Sequence, residues 1–275
     1  MKPLRTLLDH LVDYAGLFPP AALSMPAAVA NYARYRESPE SYMLARFIVP
    51  VSRLDEFEGC APSPELWRLS VLSTGDVDAD VRRISCARAH IDAIELKAAN
   101  PSQIESAMRD MPPGLTPYFE ITDVALIPVI GAHGARAKIR TGGVAPDAFP
   151  EPGLLASFLE SCSKSGTAFK ATAGLHHALR GFHALTYSAG GPSGWMFGFL
   201  NVFLAAVFVR KGVDIAPLLL EQSPAAFAFG ESGIAWRGCL ASLDEIASAR
   251  RDFAIAFGSC SFDEPVADLQ RLHLL

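Results

Sequence analysis

Ala93-Ile94-Glu95-Leu96-Lys97 alternates apolar and charged side chains, and the same rhythm of two returns in Ala137-Lys138-Ile139-Arg140 and Phe169-Lys170-Ala171-Thr172. Successive side chains of a strand point to opposite faces, so one face of each segment is apolar and the other is polar. If helices cover the apolar face, Ile94, Leu96, Ala137, Ile139, Phe169 and Ala171 point outward. Glu95, Lys97, Lys138, Arg140, Lys170 and Thr172 then point inward, and in Pro117 to Ile121 the same rule sends Tyr118 and Glu120 inward.

Further candidate strands are Phe47 to Val49, Trp67 to Leu72, Ile234 to Trp236 and Ala254 to Phe257, which makes eight. Helical patterns separate most of them, as in Asp78 to Ala89, Pro101 to Met111, Leu154 to Lys164 and Ser242 to Arg251. Strands alternating with helices predict parallel pairing through crossovers, and eight such units predict closure. The expectation is an α/β fold, a (β/α)8 TIM barrel forming a single domain over residues 1–275. An extra N-terminal helix around Leu4 to Val12 precedes it, followed by a structured loop, Asp13 to Pro20, broken by Gly16 and Pro19-Pro20. The seventh strand has two candidates, since Phe227 to Phe229 competes with Ile234 to Trp236.

Half of the residues are hydrophobic and 19% are charged, which is ample for a core and unlike a disordered chain. A net charge of −5 without basic runs argues against nucleic acid as a partner. The apolar segment Trp195 to Val209 is interrupted by Asn201 and short for a membrane span, so it reads as a buried helix. Five scattered cysteines without a C-x-x-C pair, and no export signal, predict reduced thiols in a cytoplasmic protein. By analogy with other barrels, a homo-oligomer is expected.

Charges enter a protein interior only when paired or functional. Here they gather at the C-terminal ends of consecutive strands, where barrels place active sites. A salt-bridge network that merely fixes the barrel is the alternative. Arg140 with the turn Thr141-Gly142-Gly143 suits capture of an anionic oxygen pair. His176 is a candidate acid or base, and His177 and Thr172 are candidate binding residues beside it. The long connection Leu175 to Gly194 is a candidate lid, and Asn201 on the next helix is placed to reach the mouth. Metal motifs such as H-x-H or H-E-x-x-H are absent, so neither metal nor cofactor is expected; Glu95, Glu120 and one histidine are the alternative metal set. Cys260 is a weak nucleophile candidate.

Lys170-Ala-Thr-Ala-Gly174, on the sixth strand of this count, resembles the Schiff-base motif of deoxyribose-phosphate aldolase, a class I aldolase barrel. Gly258-Ser259-Cys260-Ser261 is similar to that family's glycine and serine turn, which helps to bind substrate phosphate. The resemblance implies Lys170 as nucleophile and Gly258 and Ser259 as anion ligands. The family also carries a lysine on its seventh strand before a Gly-Gly turn. This chain has Gly230-Glu231-Ser232-Gly233 there, so Lys138 is the candidate substitute and Glu231 joins the binding candidates.

A lyase on an anionic carbonyl compound is therefore the leading expectation, with Lys170, Lys138, Glu120, Glu95 and His176 in catalysis. A metal-independent isomerase or hydrolase using the same lysines non-covalently is the second, and a non-enzymatic binding barrel the third.

Overall fold

In the computed structural model, which describes residues 1–275, eight strands close into an all-parallel barrel. They are β1 (Val12–Tyr14), β2 (Leu44–Pro50), β3 (Arg68–Leu72), β4 (His90–Lys97), β5 (Thr116–Glu120), β6 (Arg136–Arg140), β7 (Phe169–Thr172) and β8 (Ala254–Ser259). Each pairs with the barrel strands before and after it, β7 and β8 doing so across an insertion, and β1 closes the ring on β8 through Val12 opposite Phe257 and Asp13 opposite Gly258. A helix follows every strand, from Met25–Arg36 after β1 to Asp263–Arg271 after β8. Helical crossovers of this kind let parallel strands bury both faces.

Local chemistry starts and stops these helices. Asp76 accepts from the Ala79 amide at 3.0 Å and opens Val77–Ser85, and Asn100 accepts from the Gln103 amide at 3.0 Å and opens Pro101–Arg109. Proline in the first turn of Pro101–Arg109 costs no intrahelical bond. Gly166 closes Pro152–Ser165 at φ 66°, a conformation that glycine adopts without strain.

The outward residues Ile94, Leu96, Phe119, Ala137, Ile139, Phe169 and Ala171 all join one apolar core between the barrel and its helices. Helix Phe199–Val209 is buried along nearly its whole length, which accounts for its apolar composition. No helix is long and apolar enough to cross a membrane.

Two strand assignments change. Ile234–Trp236 belongs to an antiparallel sheet of Phe227–Phe229, Gly233–Trp236 and Cys239–Ser242 inserted between β7 and β8. Only Arg237 and Gly238, both at positive φ, separate Trp236 from Cys239. Such a two-residue link permits a hairpin and forbids a parallel crossover. The missing barrel strand is β1, which takes Val12 from the end of the expected helix and Asp13 and Tyr14 from the expected loop; the opening helix ends at Leu8 instead. With only three residues, one of them Asp13, β1 carries no alternating pattern to read. Lys138 consequently lies on the sixth strand and Lys170 on the seventh, one later than counted from sequence.

Candidate functional site

Lys170 on β7 donates to Asp13 on β1 at 2.5 Å and to Glu95 on β4 at 2.7 Å. These three strands are not neighbours, so the bonds run through the barrel interior and fix the inward direction of all three side chains. Lys138 on β6 bridges Glu95 at 2.6 Å and Glu120 on β5 at 2.8 Å, and Arg140 ends the chain on Glu120 at 3.0 Å. Three carboxylates thus alternate with three cations; Asp13, Glu95, Lys138 and Lys170, 1%, 4%, 3% and 1% exposed, stand in an almost dry interior, and the chain reaches solvent at Arg140.

Glu95 is the hinge of this chain. Its Oε1 accepts from Lys170 and from Ser70 Oγ at 2.7 Å, which leaves Oε2 to Lys138. Burial alone would raise the Glu95 pKa, but the two ammonium groups outweigh it and hold the carboxyl well below its usual range. Burial likewise works against the Lys170 ammonium, and Asp13 with Glu95 overcomes it, pushing the amine above its ordinary value. Glu120 is lowered by Lys138 and Arg140 against its own desolvation. Asp13 is itself positioned by the Arg46 backbone amide at 2.9 Å.

Above this network lies a cavity of about 300 Å³, at the small end of the range for small-molecule sites. Glu95, Lys138, Arg140, Gly143, Thr172, His176, His177 and Gly258 line it, while Phe18, Pro19, Pro20, Ile48 and Leu72 supply apolar wall. The hairpin Gly181–Ala184 with Ser193–Met196 covers it, bringing Ala184, Leu185, Tyr187 and Met196 to its edge. A second, polar groove of about 940 Å³ adjoins it and shares Leu72, Glu95, Lys138 and Arg140.

Five of the six inward charges, Glu95, Lys97, Glu120, Lys138 and Arg140, line the polar groove together, and Lys170 does not. Lys97 and Glu120 line only the polar groove, and Lys170 lies beneath the floor, its amine consumed by two carboxylates. Lys138 is the lysine that faces the cavity. Other expected binding residues serve the frame. Thr141 donates to the Thr172 and Ala173 carbonyls, tying the β6 turn to the β7 turn. Gly142 packs on Gly174, where a Cβ on either glycine would stand 2.8 Å from the other's Cα. Asn201 is spent inside the insertion, donating to the Leu218 and Glu221 carbonyls at 2.8 Å and accepting from the Arg180 amide. Ser259 donates to the Ser261 carbonyl and shapes the turn into the last helix. Glu231 is exposed in a turn of the inserted sheet, outside both cavities.

On the wall formed by β8 and the hairpin, His176 Nδ1 meets Glu264 Oε2 at 2.6 Å and His176 Nε2 lies 4.0 Å from Cys260 Sγ. The Tyr187 hydroxyl donates to Glu264 at 3.2 Å and lies 3.8 Å from the same sulfur. Burial would lower the His176 pKa, yet Cys260 and Glu264 lift it to about 9. His177 instead stacks on His183, centroids 3.5 Å apart, and contacts Asp268 at 3.1 Å. No group of three or more His, Cys, Asp or Glu side chains is arranged to hold a metal ion.

Glu95, Lys138 and Arg140 stand out in the sequence by alternation, whereas Asp13 and Glu264 do not. Asp13 has no alternating neighbours, and Glu264 opens a terminal helix far from its histidine in sequence. No family model matches this chain, and no curated protein matches it.

Proposed function

We propose that the protein is a class I lyase that forms a Schiff base with a small anionic carbonyl compound, and that Lys138 is its nucleophile. The observation that carries this reading is the division between the two buried lysines: both grip Glu95, but only Lys138 opens onto the cavity. The corrected strand order adds to it. Lys138-Ile-Arg-Thr-Gly142 now stands on the sixth strand and Lys170-Ala-Thr-Ala-Gly174 on the seventh. The aldolase family resembled in sequence has a lysine on each of those strands, so Lys170 supplies the seventh-strand lysine missing at Gly230 to Gly233, without the Gly-Gly turn, and the two lysines exchange the roles first expected.

The amine of Lys138 attacks only when neutral, and its proton has acceptors in Glu95 Oε2 at 2.6 Å and Glu120 Oε2 at 2.8 Å. Attack on the substrate carbonyl gives a carbinolamine, and loss of water gives the iminium. Cleavage of the adjacent carbon–carbon bond sends its electrons into the iminium as an enamine, while a carboxylate takes the hydroxyl proton of the departing aldehyde. Protonation and hydrolysis of the enamine return Lys138. Arg140, committed to Glu120 only through Nε, keeps its terminal nitrogens for the anionic group.

A second reading is favoured by the doubled carboxylate contacts of each lysine: a non-covalent isomerase or hydrolase in which Lys138 and Arg140 stabilise an enolate or oxyanion. Sodium borohydride separates the two. With pyruvate, acetaldehyde and dihydroxyacetone phosphate as probes, a reduced adduct is expected on Lys138 by peptide mass analysis, and it should vanish in Lys138→Arg. No adduct from any probe overturns the Schiff-base reading in favour of the non-covalent one, and an adduct that persists in Lys138→Arg removes Lys138 as the nucleophile.

A further inference from the structure

We propose that Cys260 is a second nucleophile in this cavity, activated by His176 with Glu264 as its positioning residue, and that it accepts short acyl groups from activated esters or thioesters. This goes beyond the lyase reading and stands on different side chains.

Of the five cysteines, Cys86 is exposed, Cys60 and Cys239 are half-buried, and Cys162 is buried. Burial pushes the Cys162 thiol up, as expected of an inert structural sulfur. Cys260 is also buried, but it borders the cavity and its sulfur lies 4.0 Å from His176 Nε2. The other ring nitrogen is fixed by Glu264 at 2.6 Å, so nucleophile, base and orienting carboxylate stand in sequence. Each comes from a different part of the fold: Cys260 follows β8, His176 follows β7 and Glu264 lies in the first turn of the last helix. Ser261 Oγ accepts from the Glu264 amide at 3.1 Å, holding that turn beside the cysteine. Cys260 and Glu264 raise His176 to about 9, which favours the proton on the ring beside the sulfur.

In the step proposed, the Cys260 proton has already passed to His176 Nε2, and sulfur, paired with the imidazolium, attacks the acyl carbon. The Tyr187 hydroxyl, 3.8 Å from the sulfur, is a donor for the oxyanion. Collapse expels the alcohol or thiol, which takes the proton back from His176, and leaves an acyl thioester on Cys260. Water then releases the acid and restores the thiol. A cavity of about 300 Å³ walled by Phe18, Ile48 and Met196 limits the acyl group to a few carbons.

Iodoacetamide tests the proposal with an internal reference, because Cys86 is exposed and remote from any such triad. Followed by peptide mass analysis on the native protein, Cys260 is expected to alkylate more than about tenfold faster than Cys86. His176→Gln and, separately, Glu264→Gln should each slow Cys260 about tenfold or more and leave the Cys86 rate unchanged. p-Nitrophenyl acetate should release one equivalent of nitrophenolate in a burst that Cys260→Ala removes. The proposal falls if Cys260 reacts no faster than Cys86, if both glutamine variants leave its rate intact, or if the burst survives in Cys260→Ala. None of these readouts depends on a borohydride adduct at Lys138, so this inference and the lyase reading fail separately.

Discussion

Glu95 shows what a single inward side chain does here. It receives Ser70, Lys170 and Lys138 at once, and its charge lets two ammonium groups stay in a dry barrel. Removing one partner of a buried ion pair leaves the other charge uncompensated, at a cost of about 3–5 kcal/mol. Glu95→Gln preserves the shape but not the charge, and should lower unfolding free energy in urea by about 3 kcal/mol or more. A loss below about 1 kcal/mol would mean that water or a relaxed Asp13 replaces the carboxylate. The position of Glu95 was legible because Ile94 and Leu96 flank it, and Lys138 and Arg140 were legible through Ala137 and Ile139. Asp13 was not, since its partner Lys170 is 157 residues away and its own strand has no rhythm. Polar partners chosen across a barrel leave no local trace.

At the scale of elements, the helices and seven of the eight barrel strands follow patterns of adequate length, whereas the insertion between β7 and β8 mimics a further strand and helix. What gives it away is the Arg237-Gly238 turn, a hairpin link that no parallel strand can use. Within the insertion, the hairpin Gly181–Ala184 with Ser193–Met196 matches the stretch expected to cover the mouth and reaches the cavity through Leu185, Tyr187 and Met196. Its outer face is solvent-exposed at Phe182 and Trp195, whose rings meet edge to face. Shortening its tip by joining Thr186 to Pro192 through Gly-Gly should open the cavity with little loss of folding free energy, because the tip adds little to the core. Half-saturation of Lys138 trapping by pyruvate should then rise about tenfold while the melting temperature stays within about 3 °C. A large drop in melting temperature would show that the hairpin is part of the frame and not a cover.

For the whole molecule, the buried charges set how stability depends on pH. Glu95, Glu120, Glu264 and Asp268 are all lowered in the folded state. The stability they contribute is fully present above the ordinary glutamate value of 4.5 and is lost as pH falls through their depressed folded values. Lys170 is raised, so its contribution is full below the ordinary lysine value of 10.5 and is lost only as pH climbs beyond it. His176 alone among these acts near neutrality. Raised from 6.5 to about 9, it contributes fully below pH 6.5 and progressively less as pH rises to about 9. At about 1.4 kcal/mol per pH unit, that decline amounts to roughly 3 kcal/mol. Urea midpoints should therefore be highest between about pH 4.5 and 6.5 and show a downward shoulder up to about pH 9. His176→Gln removes the titrating ring but leaves Glu264 and the lysine network, so the shoulder should vanish while the acid limb remains. If the shoulder persists in that variant, the titration near neutrality belongs to another group and the coupling of His176 to Cys260 and Glu264 is not what stabilises the mouth of the barrel.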